Sequence, residues 1–265
     1  MLQSLSKLYA MRGVIDRRIL ANYRIDPAVA AVHLPAPFKP KLVDGFAIGG
    51  LCLIRLKQVR PSVSPIPIGV SSENAAHRIA VTWQTGREKQ EGVYIPRRDT
   101  NSRINVMAGG RLFPGEHHHA VFSVDESATE YDVAFESRDR ASAMRIRARV
   151  TDAFAADSVF SSLEDASAFF EAGSLGYSAT QREGRFDGLE LDCHSWSVTS
   201  LLVEEVASSF FDEQSLYPEG SIAFDHALLM RGIDHQWHQR GAMCCDAGAL
   251  KSRTPPSAGQ ARRLT

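Results

Sequence analysis

The feature that most narrows the fold lies between His117 and Val150. Three runs, "HHHAVFSVD", "EYDVAFES" and "AMRIRARV", each alternate apolar with polar residues, and short polar stretches join them. Alternation with a period of two sends apolar side chains to one face of a strand and polar ones to the other. Three such runs in succession predict an antiparallel meander with one dry face and one wet face. A helical chain would not carry this pattern.

The remaining segments extend the β reading. "DGFAIGGLCLIRLKQVRP", from Asp44 to Pro61, opens at a turn and then alternates, which predicts a strand. "AHRIAVTW" and "EGVYIP" predict two more strands around the turn "TGREKQEG". "GLELDCHSWSVTSLLVEEV" predicts a single long strand. "SIAFDHALLMRGIDHQWH" predicts the last strand, although its apolar spacing also fits a helix. "SPIPIG" predicts a rigid loop.

Helices are few. In "RIDPAVAAVHLP", Asp26 can cap the N-terminus, Pro27 suits the first helical position, and Pro35 stops the run. Thr100 to Gly110 predicts a helix ending on a glycine pair. "SSLEDASAFFEAGSLGY" is the clearest helix, with Ser161 or Ser162 as cap, acids in the first turn and Gly173 at the end. Together these predict an α+β fold, mainly antiparallel β with helices packed on it. No linker-like break lies between Arg12 and Arg240. Residues 1–11 are expected to be an N-terminal extension, 12–240 a single domain, and 241–265, small, polar and basic, a disordered tail.

Bulk properties exclude several function classes. A chain of 265 residues with 44% hydrophobic residues can bury a sizeable core unaided. Its net charge of -1 provides no field to recruit nucleic acid. The longest apolar run, "FAIGGLCLI", is too short to span a membrane. The N-terminus lacks the apolar core of a secretory signal. The four cysteines form no CxxC pair, so a cytoplasmic protein without disulfides is expected. Among the 30 cationic side chains only six are lysines. Arginine stays charged and forks onto carboxylates, whereas lysine can lose its proton and act as a nucleophile.

Candidate sites cluster on histidine and arginine. "FPGEHHHA", Phe113 to Ala120, places His117 and His119 on one face of a strand and His118 on the other. Two histidines at i and i+2 can chelate a transition metal if a third ligand joins them, and His77, Glu73 and Glu116 are the nearest candidates. The plainer reading is a strand whose imidazoles meet solvent or backbone carbonyls. Arg97 and Arg98 leave the strand "GVYIPRRD" side by side and could clamp a carboxylate, or simply make surface ion pairs. Arg24 precedes a capped helix and can sit beside a pocket or pair with Asp26. No GxSxG, GxGxxG or GxxxxGK[ST] occurs, and Cys193 and His194, as strand neighbours, face opposite ways.

Three stretches resemble acetoacetate decarboxylases: "YRIDPAVAAVHLPAPF" (Tyr23 to Phe38), "SSENAAHRI" (Ser71 to Ile79) and "AGGRLFPGEHHHA" (Ala108 to Ala120). The chain is more similar still to the YqjF-like group of unknown function, in which "VDGFAIGGLCLIRL", "FFEAGSLGYSA" and "FDHALLMRGIDHQWH" are also at home. The resemblance implies a β-rich domain around a central cavity. It also implies an arginine for the substrate carboxylate, matched by Arg24, and a pocket glutamate, matched by Glu73. In the decarboxylases a lysine forms a Schiff base, its pKa lowered by a second lysine. None of the six lysines here falls in the matching stretch, where Glu116 and the histidines stand instead. An acetoacetate-decarboxylase-like pocket without that chemistry is therefore expected, holding a small organic acid or carbonyl compound. Arg24, Arg97, Arg98, Arg111 and His77 are expected to bind the ligand, and Glu73, Glu116, His117 and His119 to handle protons. Two alternatives stand beside this lyase-, isomerase- or hydrolase-like reading: a non-catalytic sensing domain, and a metal enzyme built on His117 and His119. No other cofactor, no nucleic-acid or membrane partner, and a homo-oligomer are expected.

Overall fold

The computed structural model describes residues 10–66, 68–108 and 115–244. Arg111, the Gly109-Gly110 pair, residues 1–9 of the expected extension (1–11) and residues 245–265 of the expected tail (241–265) lie outside them; Met11 and residues 241–244 belong instead to strands paired in the sheet. Among the described residues thirteen strands form one sheet. In chain order they are β1 (Met11–Ile25), β2 (Lys39–Pro40), β3 (Leu42–Val43), β4 (Phe46–Pro61), β5 (Val70–Thr85), β6 (Glu88–Thr100), β7 (His117–Glu126), β8 (Glu130–Ser137), β9 (Ala143–Thr151), β10 (Leu175–Ala179), β11 (Arg185–Cys193), β12 (Thr199–Ser208) and β13 (Ile222–Cys244). Among the described residues three helices accompany them: α1 (Pro27–Val32), α2 (Arg103–Ala108) and α3 (Leu163–Ala172).

The strand order closes on itself twice. One circuit runs β6-β7-β8-β9-β12-β13-β1-β4-β5 and returns to β6. The second leaves β6 through β10 and β11 and rejoins β13. The two closed circuits share β13, β1, β4, β5 and β6 as a common wall. Closure removes the unpaired edges that open sheets expose. Most pairings are antiparallel, as the alternation predicts. β6 runs parallel to both β7 and β10, which only crossover connections permit.

The common wall is buried on both faces, which is why "FAIGGLCLI" is continuously apolar rather than alternating. Ile19, Ala21, Leu51, Leu53, Tyr131, Val133 and Ile146 fill the first circuit. Leu20, Cys52, Ile54, Ile95, Leu191 and Leu228 pack in the second, with Ala166 and Phe170 of α3. On β1, Arg17 and Ile19 face the first circuit while Arg18 and Leu20 face the second, so residues one apart serve different interiors.

The expected helix caps are present. Asp26 Oδ1 accepts from the amides of Ala28 (2.8 Å) and Val29 (3.2 Å) at the start of α1. Ser162 caps α3, which ends at Gly173. Two expectations need correction. "GLELDCHSWSVTSLLVEEV" is two strands, β11 and β12, because the chain leaves the sheet after Cys193 and re-enters at Thr199 beside β9. The helix expected over Thr100 to Gly110 begins only at Arg103, because β6 continues through Thr100.

Candidate functional site

Residues of the common wall, α3, β10 and β11 line a partly open cavity of about 90 Å³. Side-chain parity decides what enters it. On β5, Asn74, Ala76 and Arg78 line the cavity, while Glu73 and His77, one residue away, turn into the first circuit. On β6, Val93 and Ile95 line it, and so does Arg98. That change of parity follows from a register shift: Ile79 pairs with Tyr94 but His77 pairs with Arg97, so β6 holds one extra residue there. Arg97 faces away. Gly115 sits at φ +90°, and a side chain there would strike Ser178. This glycine turn delivers His117 to the cavity beside Arg98.

Three arginines converge on this space, and none has a carboxylate partner among the described residues. Arg18 Nε donates to Cys52 Sγ at 3.3 Å, and Nη1 reaches Met230 Sδ at 3.6 Å. Arg78 Nη2 donates to Asn22 Oδ1, its guanidinium lies 4.7 Å from the centre of the Phe170 ring, and its buried Nε has no hydrogen-bond partner. Arg98 Nε donates to Ser178 Oγ at 2.9 Å. Asp99 also lines the cavity, but Arg97 holds it at 2.9 to 3.2 Å and bridges on to Asp139.

Electrostatics sharpen the picture. Burial pulls Arg78 and Arg98 down to about 10, against the Coulomb influence of the Cys52 sulfur. Both remain charged at neutral pH. Burial first, and the Arg98 charge second, hold the His117 imidazole down at about 3, opposed by a hydrogen bond involving the Gly115 backbone. The cavity therefore carries uncompensated positive charge next to a neutral imidazole. A buried charge without a partner is costly.

The other residues singled out in the sequence sit as follows. Glu73 accepts from Arg17 (2.6 Å) and Arg55 (2.5 Å), and Glu126 accepts from the same two arginines. His77 is fully buried, 3.4 Å from Ser142 Oγ and 4.8 Å from the Phe210 ring, and burial lowers it to about 3. Glu116 is half-buried and accepts at 3.4 Å from Gln181 outside the cavity. His118 Nδ1 lies 3.2 Å from Asp139, on the face opposite His117. His119 pairs with Thr100 in the sheet and does not line the cavity. Arg24 donates to the Asp157 carbonyl at 2.6 Å and to Asp225 at 3.4 Å, away from the cavity. Arg98 and His117 are thus the members of that set that meet. Arg18, Arg78, Cys52 and Asn74 join them without having been singled out; the visible sign was an arginine inside the apolar run "AAHRIAV". Among the described residues no three His, Cys, Asp or Glu side chains gather as metal ligands, so His117 and His119 have no third donor there.

The profile of the family DUF2071, described as an uncharacterized conserved protein, matches residues 15–232. No curated protein matches the chain. Among solved structures the chain is similar to an acetoacetate decarboxylase-like enzyme from Sphingomonas wittichii RW1, at 13% identity and TM-score 0.55 over 89% of this chain and 92% of that one. It is similar to acetoacetate decarboxylase from Legionella pneumophila, at 11% identity and TM-score 0.56 over 89% and 88%. It also resembles the enduracididine biosynthesis enzyme MppR, complexed with the condensation product of pyruvate and imidazole 4-carboxaldehyde. That match has 14% identity and TM-score 0.51 over 89% and 88%. At these identities the likeness establishes the fold.

Proposed function

The chain belongs to the DUF2071 family and has the acetoacetate-decarboxylase-like fold, and from that premise we propose that its cavity binds a small organic acid bearing a carbonyl group. The observation that carries this reading is the convergence of Arg18, Arg78 and Arg98 on one pocket without a carboxylate partner among the described residues. Guanidinium forks match carboxylates in geometry and charge. The neighbouring structure of MppR with a pyruvate-derived product supports a ligand of this size and class.

The chemistry available differs from imine formation. Among the described residues no lysine lines the cavity; Lys41 pairs with Glu91 and Lys57 with Asp16. His117 is the group that can accept a proton from a bound acid, because it is neutral and faces the same space. Burial holds His117 down first and the Arg98 charge second; an anion placed among the arginines would offset the second of these and strengthen the imidazole as a base. The reading is therefore a lyase- or isomerase-like site that polarises a keto acid with arginines and moves protons at His117.

Thermal unfolding of the full chain with pyruvate, acetoacetate and acetone tests it. A ligand at one hundred times its Kd stabilises by about 2.7 kcal/mol. The acids should raise the Tm, acetone should not, and Arg98→Gln should abolish the rise. A rise with acetone equal to that with the acids would overturn the reading. Following the acid by proton NMR then separates turnover from simple holding.

A further inference from the structure

A chain of buried hydrogen bonds starts at Arg78 and runs along the second-core face of the common wall, past Phe160 and Phe170. Arg78 Nη2 donates to Asn22 Oδ1. Asn22 Nδ2 donates to the Leu20 carbonyl at 3.2 Å and lies 3.0 Å from His226 Nε2. His226 Nδ1 lies 2.6 Å from Asp225 Oδ2. That carboxylate also takes bonds from Ser158 Oγ (2.6 Å), Val159 N (3.0 Å) and Arg24 (3.4 Å). Asn22 is fully buried, and His226, Asp225 and Arg78 are each at most 5% exposed.

The partners fix every proton along this chain. A guanidinium can only donate, so Asn22 must present its oxygen to Arg78. The Leu20 carbonyl can only accept, so it must face the Asn22 amide nitrogen. Both ends demand the same amide orientation. His226 Nε2 must then accept from Asn22, which places its proton on Nδ1, facing Asp225. The Asp225 carboxylate is thus held two side chains away from Arg78.

We infer that Asn22 is a specificity-determining residue of the cavity: it orients Arg78 through a neutral carbonyl and so leaves the guanidinium charge for an incoming anion. This rests on the anion-binding reading above. The fold makes room for it. A side chain at position 50 would collide with the Ala21 carbonyl and crowd Asn22 Oδ1, so the Gly49-Gly50 pair, which has no phosphate-loop context, serves close strand packing here. An aspartate at position 22 would fit the same space, pair with Arg78 and cancel one of the three charges facing the ligand.

The experiment compares wild type, Asn22→Asp and Asp225→Asn, with pyruvate as probe, by calorimetric titration and by thermal unfolding. Asn22→Asp should bind pyruvate at least tenfold more weakly while its ligand-free Tm holds, since the ion pair gained with Arg78 offsets the amide donors lost to the Leu20 carbonyl and His226 Nε2. A merely structural role would lower the ligand-free Tm and weaken binding together, and that result overturns the inference. Asp225→Asn should change affinity less than threefold. A tenfold gain would show that the Asp225 charge already reaches Arg78, and this measurement decides the matter should Asn22→Asp not fold. Wild type that ignores pyruvate and every other small acid sinks the anion reading itself. Wild type that binds, with Asn22→Asp binding equally well, sinks only the role of Asn22.

Discussion

Replacing Arg78 and Arg17 separately by methionine should give unlike results, although both are buried arginines on the common wall. Burial lowers Arg78 from 12.5 to about 10. At about 1.36 kcal/mol per unit, that corresponds to roughly 3 kcal/mol against its charged form in the fold. The penalty is fully present at neutral pH, where the side chain is charged both folded and unfolded, and is relieved only as the pH rises through about 10. Methionine removes it and fills the space against Phe170. The cost is an unpaired Asn22 oxygen, about 1–3 kcal/mol. The ligand-free protein should therefore be unchanged or up to about 2 kcal/mol more stable. Arg17 is fully buried between Glu73 (2.6 Å) and Glu126 (2.8 Å). Its removal strands two carboxylates, which costs about 3–5 kcal/mol. Arg55 also reaches both, so the lower end of that range applies. Urea denaturation without added ligand, in a buffer free of phosphate and organic acids, reads both variants as midpoint shifts at constant m. Equal losses of about 3 kcal/mol in the two variants would refute the claim that the cavity arginines are uncompensated.

Two further outcomes follow from the same geometry. His77 and His117 are held at about 3 and His235 at about 4, in each case by burial first, against an ordinary 6.5. Each stays neutral in the fold but takes a proton when unfolded, so stability should fall as the pH drops below about 6.5, by roughly 1.4 kcal/mol per pH unit for each histidine; urea midpoints that stay flat between about pH 6.5 and 4.5 would contradict this. Gly115→Ala should lose about 1–3 kcal/mol, because φ +90° strains an L-residue and the new methyl meets Ser178. The same variant should weaken pyruvate binding by displacing His117, and a calorimetric titration matching wild type would break the link between that turn and the cavity.

What the sequence disclosed depended on how local the cause was. The caps at Asp26 and Ser162, the meander from β7 to β9 and the turn at Asp44 that opens β4 are set by neighbours within a few residues, and all are legible. The break between β11 and β12 is not, because the apolar pattern continues through Trp196 and Val198, which pack against the second core without strand pairing. The site was legible only in outline. "FPGEHHHA" and "PRRD" pointed to His117 and Arg98, but nothing local says that Arg98 rather than Arg97 turns inward. That depends on the extra residue in β6, visible only once β5 is paired beside it. Glu73 and His77 were natural choices by residue type, yet a strand buried on both faces has no polar side to reveal which interior each residue enters.

That ambiguity is also the functional opportunity of the fold. A strand shared by two closed circuits presents consecutive side chains to two separate interiors. Arg17 and Arg18 are adjacent in sequence, as are Glu73 and Asn74, but the wall lies between them. On one face Arg17, Arg55, Glu73 and Glu126 neutralise one another and tie β1, β4, β5 and β7 together. On the other, Arg18, Arg78 and Arg98 meet sulfur, amide and hydroxyl partners and keep their charge. The carboxylates cannot migrate between the two sets, because moving one would require a one-residue slip of a strand paired on both sides. The compensated cluster can therefore hold the wall rigid while the uncompensated one keeps its charge for the anion proposed above, a division of labour set by side-chain parity.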